Sequence, residues 1–368
     1  MLKDLEKYDM IILLMAVALT CFGIVMVYST SSVMAAKKFH DSFYFLKRQG
    51  IYALIGTCGM AFAMRTDYQL WRKWAVPILL TCLVLLCAVL IPGIGGSAKG
   101  ATRWIRLPGF NLQPSELTKI ALILYMAYSL EKKQDKIKDF VSGLLPYMVI
   151  LAILFLILLL QHDLGSAITL AFVALMMLFL AGARLSYFVG MIILAVPFLW
   201  YFIVKEPYRL KRINAFLDPY NDPAGSGFQI IQSWIAFGTG GVFGQGLGES
   251  KQKLFYLPEA HTDFILAVAG EELGFFGIVI IAAMFFLLVL RSIRVALYAE
   301  DTFGRYLAYG VAVLIGTEAF VNMAVVTGMV PTKGLALPFI SYGGSSLIVS
   351  LFAIGILLNV SSRMKGVP

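Results

Sequence analysis

Apolar residues gather into ten runs, separated by short stretches that hold most of the charge: 10–28, 50–64, 75–92, 114–130, 142–160, 163–181, 185–204, 264–290, 306–328 and 336–360. Crossing the hydrocarbon of a bilayer takes roughly 20 residues of helix, and in lipid a helix satisfies its own backbone groups. The pattern therefore predicts an all-α polytopic membrane protein with about ten transmembrane helices. Three connections are longer than the rest: 29–49, 93–113 and, between spans seven and eight, 205–262. A connection as long as the third is expected to be functional and partly structured. Within it Phe228, Ile231, Trp234 and Ile235 recur at helical spacing, which predicts a short helix lying on the membrane surface. With no internal repeat and no linker, residues 1–368 read as a single integral membrane domain.

Composition agrees. Of 368 residues 60% are hydrophobic and 14% charged, against about 25% charged in soluble proteins. The net charge of +9 suits anionic lipid or a pyrophosphate substrate, and without a soluble domain nucleic acid is not an expected partner. Met1 to Met10 lack signal-peptide architecture, and the apolar run that follows reads as a signal anchor. An even number of spans puts both termini on one side. Arg65, Arg72, Lys73, Lys132, Lys133, Arg291 and Arg294 crowd the short loops of that side, which marks it as cytoplasmic and makes 205–262 extracytoplasmic. Cys21, Cys58, Cys82 and Cys87 all fall in apolar spans, where they read as small fillers and not as disulfide or zinc ligands.

Chemistry concentrates where charge meets an apolar run, because an ionisable group within a membrane is costly and is a functional candidate by default. Residues 256–274 carry Glu259, His261, Asp263, Glu271 and Glu272 at the edge of the eighth span. Asp263, behind Thr262, has the position of a helix N-terminal charge. A carboxylate there stays ionised near neutral pH, the state a general base requires. Glu116 and Lys119 open the fourth span three residues apart, either as a cap with an ion pair or as a site for an anion. Asp163 either caps the sixth helix or lines a polar path. Arg103 and Arg106 flank Trp104 as interface anchors or ligands. Glu318 and Asn322 read as interhelical hydrogen-bonding residues. Ser341, Gly343 and Gly344 break the last span, as a kink or as the wall of a cavity. The glycine tract 238–248 lacks the Gly-Lys-Ser/Thr ending of a nucleotide loop. It is either a tight turn or a set of backbone amides for a ligand's phosphates.

Along essentially its whole length the chain resembles the SEDS family (shape, elongation, division and sporulation proteins). The resemblance rests on Gly100-Ala101-Thr102-Arg103-Trp104-Ile105, Gln113-Pro114-Ser115-Glu116, Gln161 to Gly165, Gln229 to Gly248, Leu257 to Gly274 and Pro331 to Ser346. The Thr-Lys pair in Pro331-Thr332-Lys333-Gly334-Leu335 is similar to division and sporulation members and is usually missing from elongation members. The resemblance implies a peptidoglycan glycosyltransferase of the bacterial cytoplasmic membrane, acting at the division septum. It would polymerise lipid II into β-1,4-linked glycan on the outer face, beside a class B penicillin-binding protein and other divisome proteins. The proposed catalytic aspartate of the family maps onto Asp263. Arg103, Glu116, Lys119, Asp163, Arg212, Glu259, His261, Ser341, Gly343 and Gly344 are then the candidate substrate-binding residues. An activated pyrophosphate donor needs a base for the acceptor and positive charge for the leaving group. Lys119, Arg103 and Arg212 are candidates for the second. No organic cofactor is evident, and a divalent cation, Mg or Mn, held by carboxylates is the one inorganic candidate. Two other classes fit a polar groove among helices: a lipid II flippase, and a scaffold that only recruits a transpeptidase.

Overall fold

The computed structural model describes residues 7–98, 101–107, 110–205, 207–253, 257–258 and 260–364. Each of the ten expected spans falls on a helix: α1 (Met10–Phe39), α2 (Tyr44–Arg65), α3 (Tyr68–Val89), α4 (Pro114–Lys132), α5 (Leu145–Leu160), α6 (Leu164–Leu180), α7 (Leu185–Lys205), then, beyond the long connection, α10 (Ile265–Tyr298), α11 (Thr302–Val326) and α12 (Gly344–Ser361). Among the described residues six helical segments are long and apolar enough to cross a membrane: α1, α3, α5 with its preceding π-helical turn, α10, α11 and α12. Of the others, α6 has 17 residues, and α4, with 19, turns Glu116 and Lys119 inward. Large apolar side chains such as Leu80, Val84, Leu194 and Phe286 point outward, while Gln49, Lys119, Glu271 and Glu318 are buried. Apolar outside and polar inside is the arrangement lipid favours, and the chain is a multi-pass membrane protein.

Acidic caps set several helix starts. The Asp9 carboxylate accepts from the amides of Ile11 and Ile12 at 3.1 and 3.2 Å, Asp67 from Gln69 at 2.9 Å, and Asp301 from Gly304 at 3.0 Å. Small residues set the closest packing. A Cβ on Gly355 of α12 would lie 2.4 Å from the Met60 carbonyl oxygen of α2, and one on Gly56 would lie 2.7 Å from Leu351, so these two helices meet nearly backbone to backbone.

Three features differ from the sequence expectation. Residues 93–113, expected as a loop, contain an antiparallel sheet in the order β1 (Gly95–Ala98), β2 (Ala101–Leu107), β3 (Phe110–Leu112). Ile105 lies opposite Gly95 on one side and Leu112 on the other. The last span begins at Gly344 and not at 336. Leu337, Pro338, Phe339 and Ile340 are buried, so the segment is apolar without being helical. Its backbone is satisfied by turns, with the Ser341 amide donating to Leu337 O at 3.0 Å, and by side chains. The long connection folds as α8 (Pro207–Leu217) and α9 (Phe228–Gly240). In α9 the buried face is Ile230, Ser233, Ala236 and Gly240, while Trp234 and Ile235 are exposed. Phe228 and Ile231 are half-buried and Trp234, though exposed, donates to Thr327 O at 3.0 Å, so the expected apolar stripe is shared between the protein and its surroundings.

Candidate active site

The N-termini of α4, α6, α10 and α12 meet at one end of the bundle, with the C-terminal third of α11 beneath them. Helix N-termini carry partial positive charge, so this end is prepared for anions. At its base the Lys119 ammonium lies between two carboxylates, 2.7 Å from Glu116 and in contact with Glu318 of α11. Lys119 is 3% exposed and Glu318 4%. The anionic partner that Lys119 requires is therefore inside the protein, and its charge is spent holding α4 to α11. Of the two readings of this pair, the geometry shows the ion pair, extended to a second carboxylate.

Asp163 sits one layer above and fills several roles. It caps α6 by accepting from the Ser166 amide at 3.2 Å and its hydroxyl at 2.8 Å, and it accepts from the Ser115 hydroxyl of α4 at 3.4 Å. The Arg103 guanidinium, delivered by β2, is 3.8 Å from Asp163 and donates to the His162 carbonyl. The sheet that the sequence did not announce is what brings Arg103 here.

Asp263 lies in the turn that precedes α10, and this turn is tied on several sides. The Ser341 hydroxyl donates to Thr262 O at 2.7 Å, and the Tyr342 amide to His261 O at 3.0 Å. Asn322 of α11 donates from one amide nitrogen to Asp263 O at 2.9 Å and to Leu335 O at 2.7 Å. The buried Gln49 side chain of α2 reaches Ser341 O at 3.3 Å. The Asp263 carboxylate itself faces the 331–335 loop, where a Cβ on Gly334 would stand 3.0 Å from Oδ2. The His261 ring packs among Phe45 and Tyr342, 4.8 and 5.8 Å between centroids. Arg212 of α8 donates to Thr332 O at 3.0 Å, fixing the other end of the loop. The structure therefore gathers Arg103, Glu116, Lys119, Asp163, Arg212, His261, Ser341 and Asp263 at one end. Gly343 precedes α12 in extended backbone, and Gly344 lets the Tyr52 ring approach to 3.0 Å of where its Cβ would be. Glu259 lies outside the described residues.

The glycine tract takes the structural one of its two readings. Gln245 and Gly246 donate their amides to Glu271 O and Glu272 O at 2.9 and 3.0 Å, and Phe275 donates to Gly241 O at 2.9 Å. This exchange is possible because α10 unwinds at Gly274, where φ is 70°, a region that glycine enters without strain. A Cβ on Gly244 would lie 2.1 Å from Glu272 O. The amides are used, so the tract is no phosphate cradle. Glu271 and Glu272 are anchors of the same joint: Glu271 accepts from the Ser250 hydroxyl and the Lys251 and Gln252 amides. Glu272 accepts from Ser29 at 2.6 Å and Lys253 at 3.3 Å.

Among the described residues no group of three or more His, Cys, Asp or Glu could hold a metal ion. The Glu116, Glu318 and Asp163 carboxylates are engaged by Lys119, Arg103 and serines, so these residues do not build a cage for the divalent cation expected above. Two residues without an assigned role do enter the site. Asn322 bridges the Asp263 turn and the 331–335 loop. Lys333 extends along Gly165, its Cε 3.4 Å from where a Cβ there would be. The sequence flagged Lys333 only as part of a branch-marking motif; a lysine in a buried apolar stretch was the available signal. Lys333 is held well below the usual lysine value, at about 8, first by burial and also by the Lys119 charge, with Asp163 pulling the other way.

The model of the FtsW/RodA/SpoVE family, described as cell cycle protein, matches residues 9–366. The "Probable peptidoglycan glycosyltransferase FtsW" of Geobacter metallireducens is 69% identical over 367 residues, covering 100% of this chain and 98% of that one. Stage V sporulation protein E of Bacillus subtilis is 45% identical over 353 residues, 96% of each chain. A chain solved for the structural coordination of polymerization and crosslinking by a peptidoglycan synthase complex superposes with a TM-score of 0.79 at 31% identity, covering 96% of this chain and 97% of that one. The rod shape determining protein RodA of Thermus thermophilus superposes with a TM-score of 0.72 at 26% identity over 98% of each chain. Motifs, helix order and full-length similarity agree, and the chain belongs to the SEDS family, the FtsW/RodA/SpoVE cell cycle proteins.

Proposed function

We propose that this protein is a peptidoglycan glycosyltransferase that polymerises lipid II into β-1,4-linked glycan at the outer face of the cytoplasmic membrane during division. The observation that carries the reading is full-length similarity to the 69% identical relative named for this activity, joined to the placement of Asp263. Its turn is fastened through Thr262, the Asp263 carbonyl and His261, while its carboxylate is turned toward the loop opposite.

Asp263 acts as general base. The 4-hydroxyl of the incoming lipid II attacks the anomeric carbon of the growing chain's α-linked pyrophosphoryl end. The hydroxyl proton passes to the Asp263 carboxylate, and the bond from carbon to phosphate oxygen breaks with its electron pair on the departing pyrophosphate. One carboxylate suffices for a single displacement with inversion, which turns the α-linkage into the β product; retention would need a second as nucleophile. Glu116, Lys119 and Glu318 act as an ion-paired strut that sets the spacing of α4 and α11. Asp163 and Arg103 shape the opposite wall.

A class B penicillin-binding protein is the proposed partner, as glycan made here is cross-linked next to its exit; the structural neighbour at TM-score 0.79 comes from a complex in which polymerization and crosslinking are coordinated. The septum is the proposed location, on the strength of the relatives named FtsW. The proposed orientation has both termini cytoplasmic: cysteine at exposed Tyr220, in a chain cleared of native thiols, should react with an impermeant reagent on intact spheroplasts.

Purified protein with lipid II in detergent should yield glycan strands, and Asp263→Asn should lose about 10²–10⁴-fold in rate, the usual contribution of a positioned base. A flippase or a scaffold would tolerate that change. Near-normal polymerisation by Asp263→Asn, with lipid binding intact, removes Asp263 from the chemistry.

A further inference from the structure

Lys333 is the feature of this end that neither the base nor the strut absorbs. It follows Thr332, whose carbonyl accepts from Arg212, and precedes Gly334, which abuts the Asp263 carboxylate. Its stem lies against Gly165, two residues after the α6 cap Asp163. We propose that Lys333 is the ligand that grips the pyrophosphate of the polyprenyl-linked donor as it leaves. The proposal rests on the polymerase reading and adds to it the identity of the leaving-group subsite.

Three observations carry it. First, the Lys333 ammonium forms no ion pair or hydrogen bond among the described residues, although it is half-buried. An ammonium withdrawn from water and held only by the longer-range attraction of Asp163 is costly, so an arriving anion would complete the site. Second, the neighbouring cations are committed elsewhere: Lys119 to Glu116 and Glu318, and Arg103 to the His162 carbonyl and Asp163. Asp163 cannot serve Lys333 in full, because it already accepts from Ser166 and Ser115. Third, the loop is pinned on both sides of Lys333, by Arg212 at Thr332 O and by Asn322 at Leu335 O. That holds the backbone of Lys333 in place beside Gly334, which faces the base, while its side chain runs toward Gly165, so the base and the cation lie in different directions from the loop. Burial and the low value of about 8 for this lysine fit a group awaiting a counter-charge. In the step itself Lys333 transfers no proton; it offsets the negative charge that gathers on the phosphate oxygen as the bond to the anomeric carbon breaks.

The test measures equilibrium binding of undecaprenyl pyrophosphate and undecaprenyl monophosphate to the full chain in detergent micelles. The wild type should prefer the pyrophosphate. Lys333→Gln should weaken pyrophosphate binding by about ten- to a hundredfold, the range of one charge-assisted hydrogen bond, and weaken the monophosphate less. Lys333→Arg should keep most of the preference, and Lys47→Gln, an exposed cation at the same end, should change nothing. An unchanged preference in Lys333→Gln overturns the proposal. If that variant does not fold, Lys333→Met, which keeps the stem and removes only the charge, reads the same ratio, and an unchanged ratio there overturns it equally. Glycan synthesis from lipid II is scored separately: a wild type that binds both lipids in a Lys333-dependent way yet makes no glycan sinks the polymerase reading and leaves the subsite standing.

Discussion

The two ends of the bundle use the same kinds of residue to opposite effect. At the end carrying the termini, Arg363 meets Asp67 at 2.8 Å with both side chains more than a third exposed, and Arg72 meets Glu131 at 3.1 Å. Arg291 holds Asp9 at 2.8 Å, and Tyr68 and Gln69 both donate to Asp301, at 2.8 and 2.6 Å. These are ties between helix ends; Arg363 and Asp67 are in reach of water, where screening leaves such a pair worth little, while Asp9 and Tyr68 are buried. At the other end Glu116, Lys119, Glu318 and Asp163 are nearly sealed from solvent. There each charge must be matched, and one left alone is expensive. What separates the ends is how many charges are buried together, and that clustering is what makes the second end a place for chemistry.

The sharpest way to break the comparison is to remove the central cation. Lys119→Met leaves two buried carboxylates facing each other and should cost about 3–5 kcal/mol, the usual result of breaking a buried pair, read as a large drop in thermal unfolding temperature in detergent. Adding Glu116→Gln and Glu318→Gln should restore most of that stability. A Lys119→Met protein as stable as the wild type would mean that this triad is no more than a surface pair.

A smaller effect is expected from Asn322→Ala. It deprives Asp263 O and Leu335 O of a shared donor and should cost about 1–3 kcal/mol, as other buried unmet polar groups do. Polymerisation should fall further than stability predicts, because the base and the 331–335 loop lose their common anchor; an unchanged rate in the folded variant would strip Asn322 of that role.

The alkaline limb of activity sharpens the contrast next. Lys333, at about 8, loses its charge as pH rises through that value, so polymerisation should decline above about pH 8, and Lys333→Arg should carry the plateau higher. Stability moves the other way. The folded value lies below the ordinary 10.5, so between about 8 and 10.5 the unfolded chain binds more protons, and this group's cost to stability shrinks as pH rises. A wild-type rate that stays flat to pH 10 would contradict the assignment.

The smallest effect belongs to the other end. Arg363→Gln should change stability by less than about 1 kcal/mol and leave polymerisation unaltered, with raised salt masking even that. A loss comparable to that of Lys119→Met would erase the distinction between the ends.

Much of this was legible along the chain. Each apolar run became a helix because backbone in lipid has few other ways to satisfy itself. Asp163 and Pro114 were readable as helix starts, since capping is local. The pairing of Glu116 with Lys119 followed from their spacing, and Glu318 was rightly read as interhelical, while Asn322 bonds to a turn and a loop instead of a second helix. Residues 336–343 were misread because hydropathy reports burial and not conformation. There Pro338, with Gly343 and Gly344 beyond, stops a helix, while Ser341 and Asn322 supply the missing hydrogen bonds. The stripe on α9 was visible, but which face met the protein depended on Ser233 and Trp234 reaching Val326 O and Thr327 O of α11.

By itself the sequence determined the membrane character, the order of helices and the candidacy of Asp263, all consequences of local composition and spacing. Only the tertiary structure decided which charges are spent and which remain. It gave Lys119 a second carboxylate from 199 residues away and used the glycine tract's amides on the unwound turn at Gly274. It also left Lys333, in the loop opposite Asp263, with no hydrogen bond and only the attraction of Asp163 among the described residues. Pairing within a buried site is settled by distances between segments remote in the chain, and no local pattern encodes those distances.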